Sequence, residues 1–153
     1  MADGDDDATQ DGLIVYRSEA GIDAIDEYSR RLTSALRDRG DRARYLGDGW
    51  PVLRGAPGPP PWILLQYNPF AWGRWGFAPG LVHGAVRLRR SGTPLAVMVH
   101  EAWLDIEDVR SAVMGAWQRV QLRTILHAAD LVLTSTEALA RELGRGARHV
   151  PIG

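Results

Sequence analysis

A histidine and a glutamate stand side by side at His100 and Glu101, directly after an apolar run of the sequence. An imidazole transfers protons near neutral pH, and a neighbouring carboxylate can orient it or bind a hydroxyl group. Because adjacent residues of an extended strand point to opposite sides, we expect His100 to face a ligand. Leu104 stands where a zinc-protease motif needs its second histidine, which excludes that class. A purely structural histidine, bonded to the backbone at a strand end, is the alternative.

The apolar run that precedes this pair predicts a buried strand. It covers Leu95–Val99 and follows a turn signal at Ser91–Pro94. Such β-branched runs are typical of strands buried on both faces of a parallel sheet. Ligands of open α/β sheets bind beyond the carboxyl ends of these strands. The sequence therefore predicts that His100 and Glu101 lie at a ligand-binding edge.

A second candidate is the aromatic segment Tyr67–Phe77, which carries five aromatic residues in eleven and follows another apolar run. Aromatic faces stack on the C–H faces of sugars or on bases, while Asn68 and Arg74 supply contacts to hydroxyl groups and anions. A loop folded onto its own core is the alternative, because large aromatic side chains are usually part-buried.

Strands and helices alternate along the rest of the chain. Apolar runs predict strands at 13–16, 62–66, 95–99 and 131–133, and short strands are expected at 44–46 and from 148 to 150. Helices are predicted from residue 22 to a cap at Gly40, over 80–90, from Asp105 or Asp108 to about residue 129, and after a capping box at Thr134–Glu137. Glycine and proline predict a loop over 47–61. This alternation predicts an α/β fold, a Rossmann-like three-layer sandwich with a mostly parallel sheet.

Periodicity assigns faces to the two longest predicted helices. The first has one stripe formed by Ile22, Ile25, Ser29, Leu32 and Leu36. The inward candidates of the long helix are Val109, Val113, Ala116, Val120 and Leu126. Gly21 precedes the first helix, whose free N–H groups and positive dipole would suit a phosphate. No dinucleotide fingerprint, P-loop or nucleophile elbow is present, so dehydrogenases, P-loop enzymes and serine hydrolases lose their main support.

Composition limits the function classes further. The chain has 153 residues, with 18 basic and 19 acidic residues, no lysine and no cysteine. The absence of cysteine excludes disulfides and thiolate metal sites and fits a reducing cytoplasm. No apolar stretch approaches the roughly 20 residues that span a bilayer. We expect a disordered acidic tail over 1–11 and one domain over 12–153.

Taken in order, several segments resemble the N-terminal domain of a family 4 glycosyltransferase, a retaining enzyme of the two-domain GT-B fold. The matching segments are Gly21–Gly40, Val99–Glu101, Ala129–Leu139 and Val150–Gly153. The family's glycine-rich turn is reduced here to Gly21. The resemblance implies that residues 12–153 form the acceptor-side half of a GT-B architecture, and that a C-terminal donor domain, absent from this sequence, completes the enzyme.

The resemblance also implies sugar transfer from a UDP- or GDP-linked nucleotide-sugar donor to a sugar or glycolipid acceptor, with retention of configuration. His100, supported by Glu101, would lie near the donor sugar, and Gly21 and Ile22 would face the donor pyrophosphate. The acceptor would be bordered by Tyr67, Asn68, Arg74 and Trp75. This chain would hold no cofactor or metal, would bind no nucleic acid and would be inactive alone. It would work in the cytoplasm, with peripheral contact at the inner face of the membrane.

Two other functions remain open. The chain could be a non-catalytic acceptor-binding or interaction subunit that pairs with a separate donor-binding polypeptide, because a missing half would leave an apolar face exposed. It could also be a flavodoxin-like domain that binds a nucleotide or another cofactor.

Overall fold

A computed structural model describes residues 11–17, 23–55, 58–102, 109–144 and 146–151. Six strands within these ranges form one sheet: β1 (Gly12–Val15), β2 (Ala43–Leu46), β3 (Ile63–Tyr67), β4 (Leu95–Val99), β5 (Leu131–Thr134) and β6 (Ala147–His149). Their order is β2-β1-β3-β4-β5-β6, and every neighbouring pair is parallel. The predicted α/β fold with a parallel sheet is confirmed.

The helices of the described residues are α1 (Ala24–Asp38), α2 (Trp50–Arg54), α3 (Pro69–Trp72), α4 (Pro79–Ser91), α5 (Val109–Ala128) and α6 (Glu137–Leu143). A 3₁₀ turn covers Arg74–Gly76. None of these helices is long and apolar enough to cross a membrane. The prediction of a continuous loop over 47–61 was wrong, because α2 interrupts it. Pro51 stands in the first turn of α2, where its missing N–H costs no hydrogen bond, and Gly55 ends the helix with φ 97°.

The cap of α6 also differs from the prediction. Thr134 was expected to open the helix, but it is buried as the last residue of β5, and its hydroxyl donates to the Thr136 carbonyl oxygen (3.0 Å). Thr136 is the N-cap instead, since its Oγ1 accepts from the Leu139 N–H at 3.2 Å. The threonine two residues later therefore takes the capping role.

Side chains alternate along each strand and so form two apolar layers, one on each face of the sheet. One layer packs Val15, Leu65 and Val97 against α2, α4 and α5, with α6 at its margin. The other packs Ile14 and Leu64 against α1. The chain moves outward from β1 to β2, and then in the opposite direction from β3 to β6. The carboxyl ends of β1 and β3 therefore flank the switch point, where open α/β sheets form their ligand crevice.

The orientation predicted for α5 was wrong. Val109, Val113 and Val120 are 83%, 67% and 56% exposed, whereas Gln118 and Gln121 are buried. Ala116 is exposed as well, and Leu126 packs against the core only in part. Apolar residues surround α5 on all sides, so their periodicity does not identify an inward face.

Candidate functional site

Polar residues follow three neighbouring strands at the carboxyl edge of the sheet. Asn68 follows β3, His100 and Glu101 follow β4, and Ser135 follows β5. The ladder continues past the strands, because the His100 N–H donates to the Tyr67 carbonyl oxygen (3.0 Å) and the Ser135 N–H to the Val99 carbonyl oxygen (3.2 Å). These backbone bonds fix where each polar side chain leaves the sheet.

His100 packs beneath α1 and forms a hydrogen bond with a glutamine of the neighbouring strand β3. Its Nε2 lies 2.6 Å from Gln66 Oε1, and its ring meets the Tyr28 ring edge-to-face at 5.9 Å. Burial lowers the pKa of His100 to about 4, although the nearby Asp23 carboxylate acts in the opposite direction. The imidazole is therefore neutral at pH 7. When the ring proton is on Nε2 and is donated to Gln66 Oε1, the other ring nitrogen, Nδ1, is a hydrogen-bond acceptor.

Gln66 is the residue that sequence reasoning missed. Its side chain is fully buried, and its Nε2 has no hydrogen-bond partner among the described residues. Exchanging the amide nitrogen and oxygen would satisfy Nε2 through His100 but would leave Oε1 without a donor. One buried polar atom beside His100 is thus unpaired in either orientation, and such atoms are rare in folded proteins. The available signal was a polar residue at the end of the apolar run Trp62–Leu65.

Asn68 and Glu101 form a polar pair that bridges the ends of β3 and β4. Asn68 Nδ2 donates to Glu101 Oε2 at 3.4 Å, while Asn68 Oδ1 caps α3 by accepting from the Phe70 N–H at 3.0 Å. Glu101 is exposed and His100 is largely buried, so Glu101 is the more accessible of the predicted catalytic pair. His100 shares the face covered by α1 and is part-buried there, so its contact with a ligand stays a prediction.

The structure places Tyr67 in the core, which corrects its assignment to the acceptor side. The side chain is 0% exposed and lies on the face opposite His100. Its hydroxyl oxygen accepts from Gln121 Nε2 at 3.2 Å, and burial raises the pKa of Tyr67 to about 12. A side chain enclosed in this way contacts no ligand at the surface.

Arg74 and Trp75 lie in the 3₁₀ turn, beside α5. The Trp75 carbonyl oxygen accepts from Gln118 Nε2 at 3.2 Å, and both side chains are exposed. They line a groove of about 520 Å³ together with Phe77, Val113, Met114 and Trp117. No hydrogen bond of the described residues joins them to Asn68 or His100. The structure therefore groups these two predicted acceptor residues with α5 instead.

Gly21 and Ile22, the predicted donor-phosphate residues, lie outside the described residues. The next residue, Asp23, caps α1 by accepting from the Asp26 N–H at 2.7 Å, and it also accepts from the Tyr16 hydroxyl at 3.0 Å. Burial, followed by this bond, raises the pKa of Tyr16. A carboxylate thus occupies the helix terminus where a phosphate was expected, and like charges repel there.

The described residues contain no cluster of histidine and carboxylate side chains that could hold a metal ion. In comparisons with known proteins, no family model, no curated protein and no solved structure matches this chain. The geometry of the carboxyl edge is therefore the ground on which a function can be inferred.

Proposed function

We propose that this chain forms the acceptor side of a glycosyltransferase. In the complete enzyme, a sugar passes from a nucleotide-sugar donor to a sugar or glycolipid acceptor with retention of configuration. The observation that carries the proposal is the exposed Asn68–Glu101 pair, which lies beside the neutral His100 at the ligand-binding edge of a parallel sheet.

The three side chains suit a ligand rich in hydroxyl groups. The Glu101 carboxylate accepts hydrogen bonds from hydroxyl groups, and Asn68 both donates and accepts. The Asn68–Glu101 hydrogen bond is long (3.4 Å), so its replacement by shorter bonds to a ligand costs little free energy. With its proton on Nε2, the part-buried His100 ring adds Nδ1 as an acceptor. The amide of Gln66 holds the imidazole in place from below.

The charge of the site suits an acceptor better than a donor phosphate. Asp23 and Glu101 are acidic, and the neutral His100 offers no positive charge. We infer that a second domain, joined to this chain or separate, holds the UDP- or GDP-linked donor. We also infer that the reaction takes place in the cytoplasm, at the inner face of the membrane where the acceptor is a glycolipid.

One observation favours a second candidate, a flavodoxin-like cofactor domain. The order β2-β1-β3-β4-β5 is the flavodoxin-like order, in which a phosphate-bearing cofactor binds between β1 and β3. Arg17 lies at this point and donates to the Trp72 carbonyl oxygen at 3.4 Å. This candidate predicts binding of a flavin or a free nucleotide by the isolated chain.

Titration of the isotope-labelled chain with small ligands, followed by amide NMR shifts, tests both candidates. The probes are a panel of methyl hexopyranosides, UDP, GDP and flavin mononucleotide. We expect a glycoside to shift the amide signals of Asn68, His100 and Glu101. We expect Glu101→Gln to weaken that binding about tenfold or more, because a charge-assisted hydrogen bond is lost.

The matched control is Glu142→Gln, which removes the same charge from an exposed position of α6 and should leave glycoside binding unchanged. Glycoside shifts confined to other parts of the chain, or no shifts with any glycoside, would overturn the proposal. Tight binding of the flavin or of a free nucleotide, in place of glycosides, would establish the flavodoxin-like candidate. A glycoside-binding chain that never transfers sugar, even with its donor-binding partner, would be a non-catalytic subunit.

A further inference from the structure

The outward side of α5 is apolar where a surface helix is normally polar. We define the α5 apolar face as Val109, Val113 and Val120 together with Trp75, Phe77 and Trp117. The three valines are mostly exposed, and Trp75 and Phe77 are about half exposed. A contiguous exposed apolar surface is typical of a site of contact with a partner or a membrane.

The members of this face form one continuous surface. Val109, Val113 and Val120 are separated by four and seven residues, which places them on one side of the helix. Phe77 packs on Trp117 with ring centres 4.8 Å apart, beside the groove described above. The aromatic residues therefore extend the valine stripe at the end of α5 where the helix begins.

Trp75 is held at this surface by its backbone. It is the one described residue other than glycine with a positive φ, at 58°. The turn is fixed by the Gly76 N–H, which donates to the Gly73 carbonyl oxygen at 2.9 Å, and by the Phe77 N–H, which donates to the Arg74 carbonyl oxygen at 3.1 Å. A strained conformation maintained in this way is typical of functional positions.

The charges around the α5 apolar face are basic. Helix α5 has three arginines and no acidic residue. The guanidinium groups of Arg74 and Arg110 lie 4.5 and 4.7 Å from the centre of the Trp75 ring. Neither has an ion pair with a carboxylate of the described residues. The nearest acidic residues of the sequence, Asp105, Glu107 and Asp108, precede the helix and lie outside the described residues.

We propose that the α5 apolar face docks on the surface of an anionic phospholipid bilayer. Phospholipids combine the two properties that this face requires. Their acyl chains suit the valines and aromatic rings, and their phosphates suit Arg74 and Arg110. Tryptophan and arginine are typical of the interfacial zone, where an aromatic body meets the acyl boundary and the guanidinium reaches the headgroups. A second copy of this chain is a poorer occupant, because it would bring Arg74 and Arg110 of both copies together, four cationic groups in one interface.

Docking would also orient the candidate site. Helix α5 starts at the carboxyl edge of the sheet, since it follows β4, so Val109 and Arg110 lie on the same side of the molecule as Glu101. The membrane proposal stands on its own observations. Only its consequence, a glycolipid acceptor drawn from the bilayer beside Glu101, rests on the proposed function.

Co-sedimentation of the purified chain with vesicles tests this proposal. One set of vesicles is phosphatidylcholine alone, and the other contains equal parts of phosphatidylcholine and phosphatidylglycerol. We expect binding to the anionic vesicles only. Arg74→Gln/Arg110→Gln should reduce the partition coefficient about tenfold or more, because each arginine contributes to attraction by anionic lipid. Val113→Asp should also abolish binding, since it buries a charge against lipid.

The matched control is Arg39→Gln/Arg44→Gln, which removes two exposed arginines, one at the end of α1 and one in the edge strand β2, and should leave binding unchanged. Urea unfolding of each variant checks that the fold is kept. Equal loss in the control would overturn the proposal, because it would show attraction by net charge alone. Absence of binding to anionic vesicles would also overturn it. A dimer in sedimentation equilibrium that Val113→Asp dissociates would assign the face to a second copy instead. Since no sugar is present, these outcomes are independent of the glycoside titration.

Discussion

Helices α1 and α5 cover opposite faces of the sheet and differ in what they expose. Helix α1 presents charged residues to solvent, among them Arg30 and Arg31. Arg31 pairs with the exposed Glu27, and Arg30 pairs with the buried Asp26 (2.9 Å), while Leu32 packs on the sheet. Helix α5 exposes valines, and it buries two glutamines against the turn at Arg74–Gly76.

The difference shows that apolar residues have different positions in the two helices. In α1 the apolar residues Tyr28, Leu32 and Leu36 pack on the sheet side and are part-buried there, because the outward side meets water. In α5 the inward side has to satisfy polar backbone groups of the turn before α4, and the outward side fits a lipid surface. Hydrophobic periodicity therefore identifies the core only where the opposite side of the helix is solvated.

The largest expected effect is on the inward side of α5. Gln121 accepts from the Ala78 N–H and from Trp117 Nε1, and it donates to the Tyr67 hydroxyl and the Gly76 carbonyl oxygen. Gln121→Leu should lower the free energy of unfolding by about 3–5 kcal/mol, because several buried groups lose their partners. Urea unfolding measures this loss. An equally stable Gln121→Leu variant would show that these bonds do not anchor the helix.

The next effect concerns the α1 side, where Tyr28 covers His100. The folded-state pKa of His100, about 4, lies below its ordinary value of 6.5. Between these values the unfolded chain binds a proton that the folded chain does not, so stability falls as the pH decreases from 6.5 to 4. This contribution amounts to at most about 3 kcal/mol.

The acid dependence can be isolated with His100→Gln, because the glutamine side chain at this position does not titrate. Its free energy of unfolding should fall less steeply between pH 6.5 and pH 4 than that of the wild type, as measured by urea unfolding at several pH values. An NMR titration of the His100 ring checks the same pKa directly. Identical slopes for the two proteins would contradict the assigned burial of the imidazole.

A smaller effect is expected on the outward side of α5. Val109→Ser/Val113→Ser/Val120→Ser should change the free energy of unfolding by no more than about 1 kcal/mol, since valine and serine have similar helix propensities and the side chains are exposed. The comparison is Leu122→Ala, in the buried side of the same helix, which should cost about 2–5 kcal/mol. A similar loss in both variants would show that the valines belong to the core.

The smallest effect is expected at Trp75. Asparagine tolerates a positive φ better than tryptophan, so Trp75→Asn should leave the free energy of unfolding unchanged or raise it by up to about 1 kcal/mol. Binding to anionic vesicles should decrease in the same variant. A marked loss of stability would mean that the ring supports the fold rather than a contact surface.

Strands β1, β3, β4 and β5 could be predicted from the sequence because each is a short, mostly apolar run. Leu95–Val99 has the predicted bounds, and β1, β3 and β5 are shifted or extended by a single residue. The edge position of His100, Glu101 and Asn68 follows from the same runs, because each residue comes directly after a strand. Runs buried on both faces need no knowledge of their neighbours to be recognised.

The contacts of the site could not be predicted in this way. The bond between Gln66 and His100 depends on the register of β3 against β4, which places Gln66 opposite Met98, two residues before His100. The role of Gln121 depends on how the turn at Arg74–Gly76 lies on α5. Both are contacts between distant parts of the chain, whereas periodicity reports only on residues close in sequence.

The strand order has a consequence for synthesis of the chain. Strand β1 is made before the other five strands of the sheet, but it is an interior strand, placed between β2 and β3. One of its edges stays open until Ile63–Tyr67 has been made. An unpaired strand edge is a template for wrong pairing during that interval. The nascent chain therefore has to protect Gly12–Val15 while about fifty further residues are added.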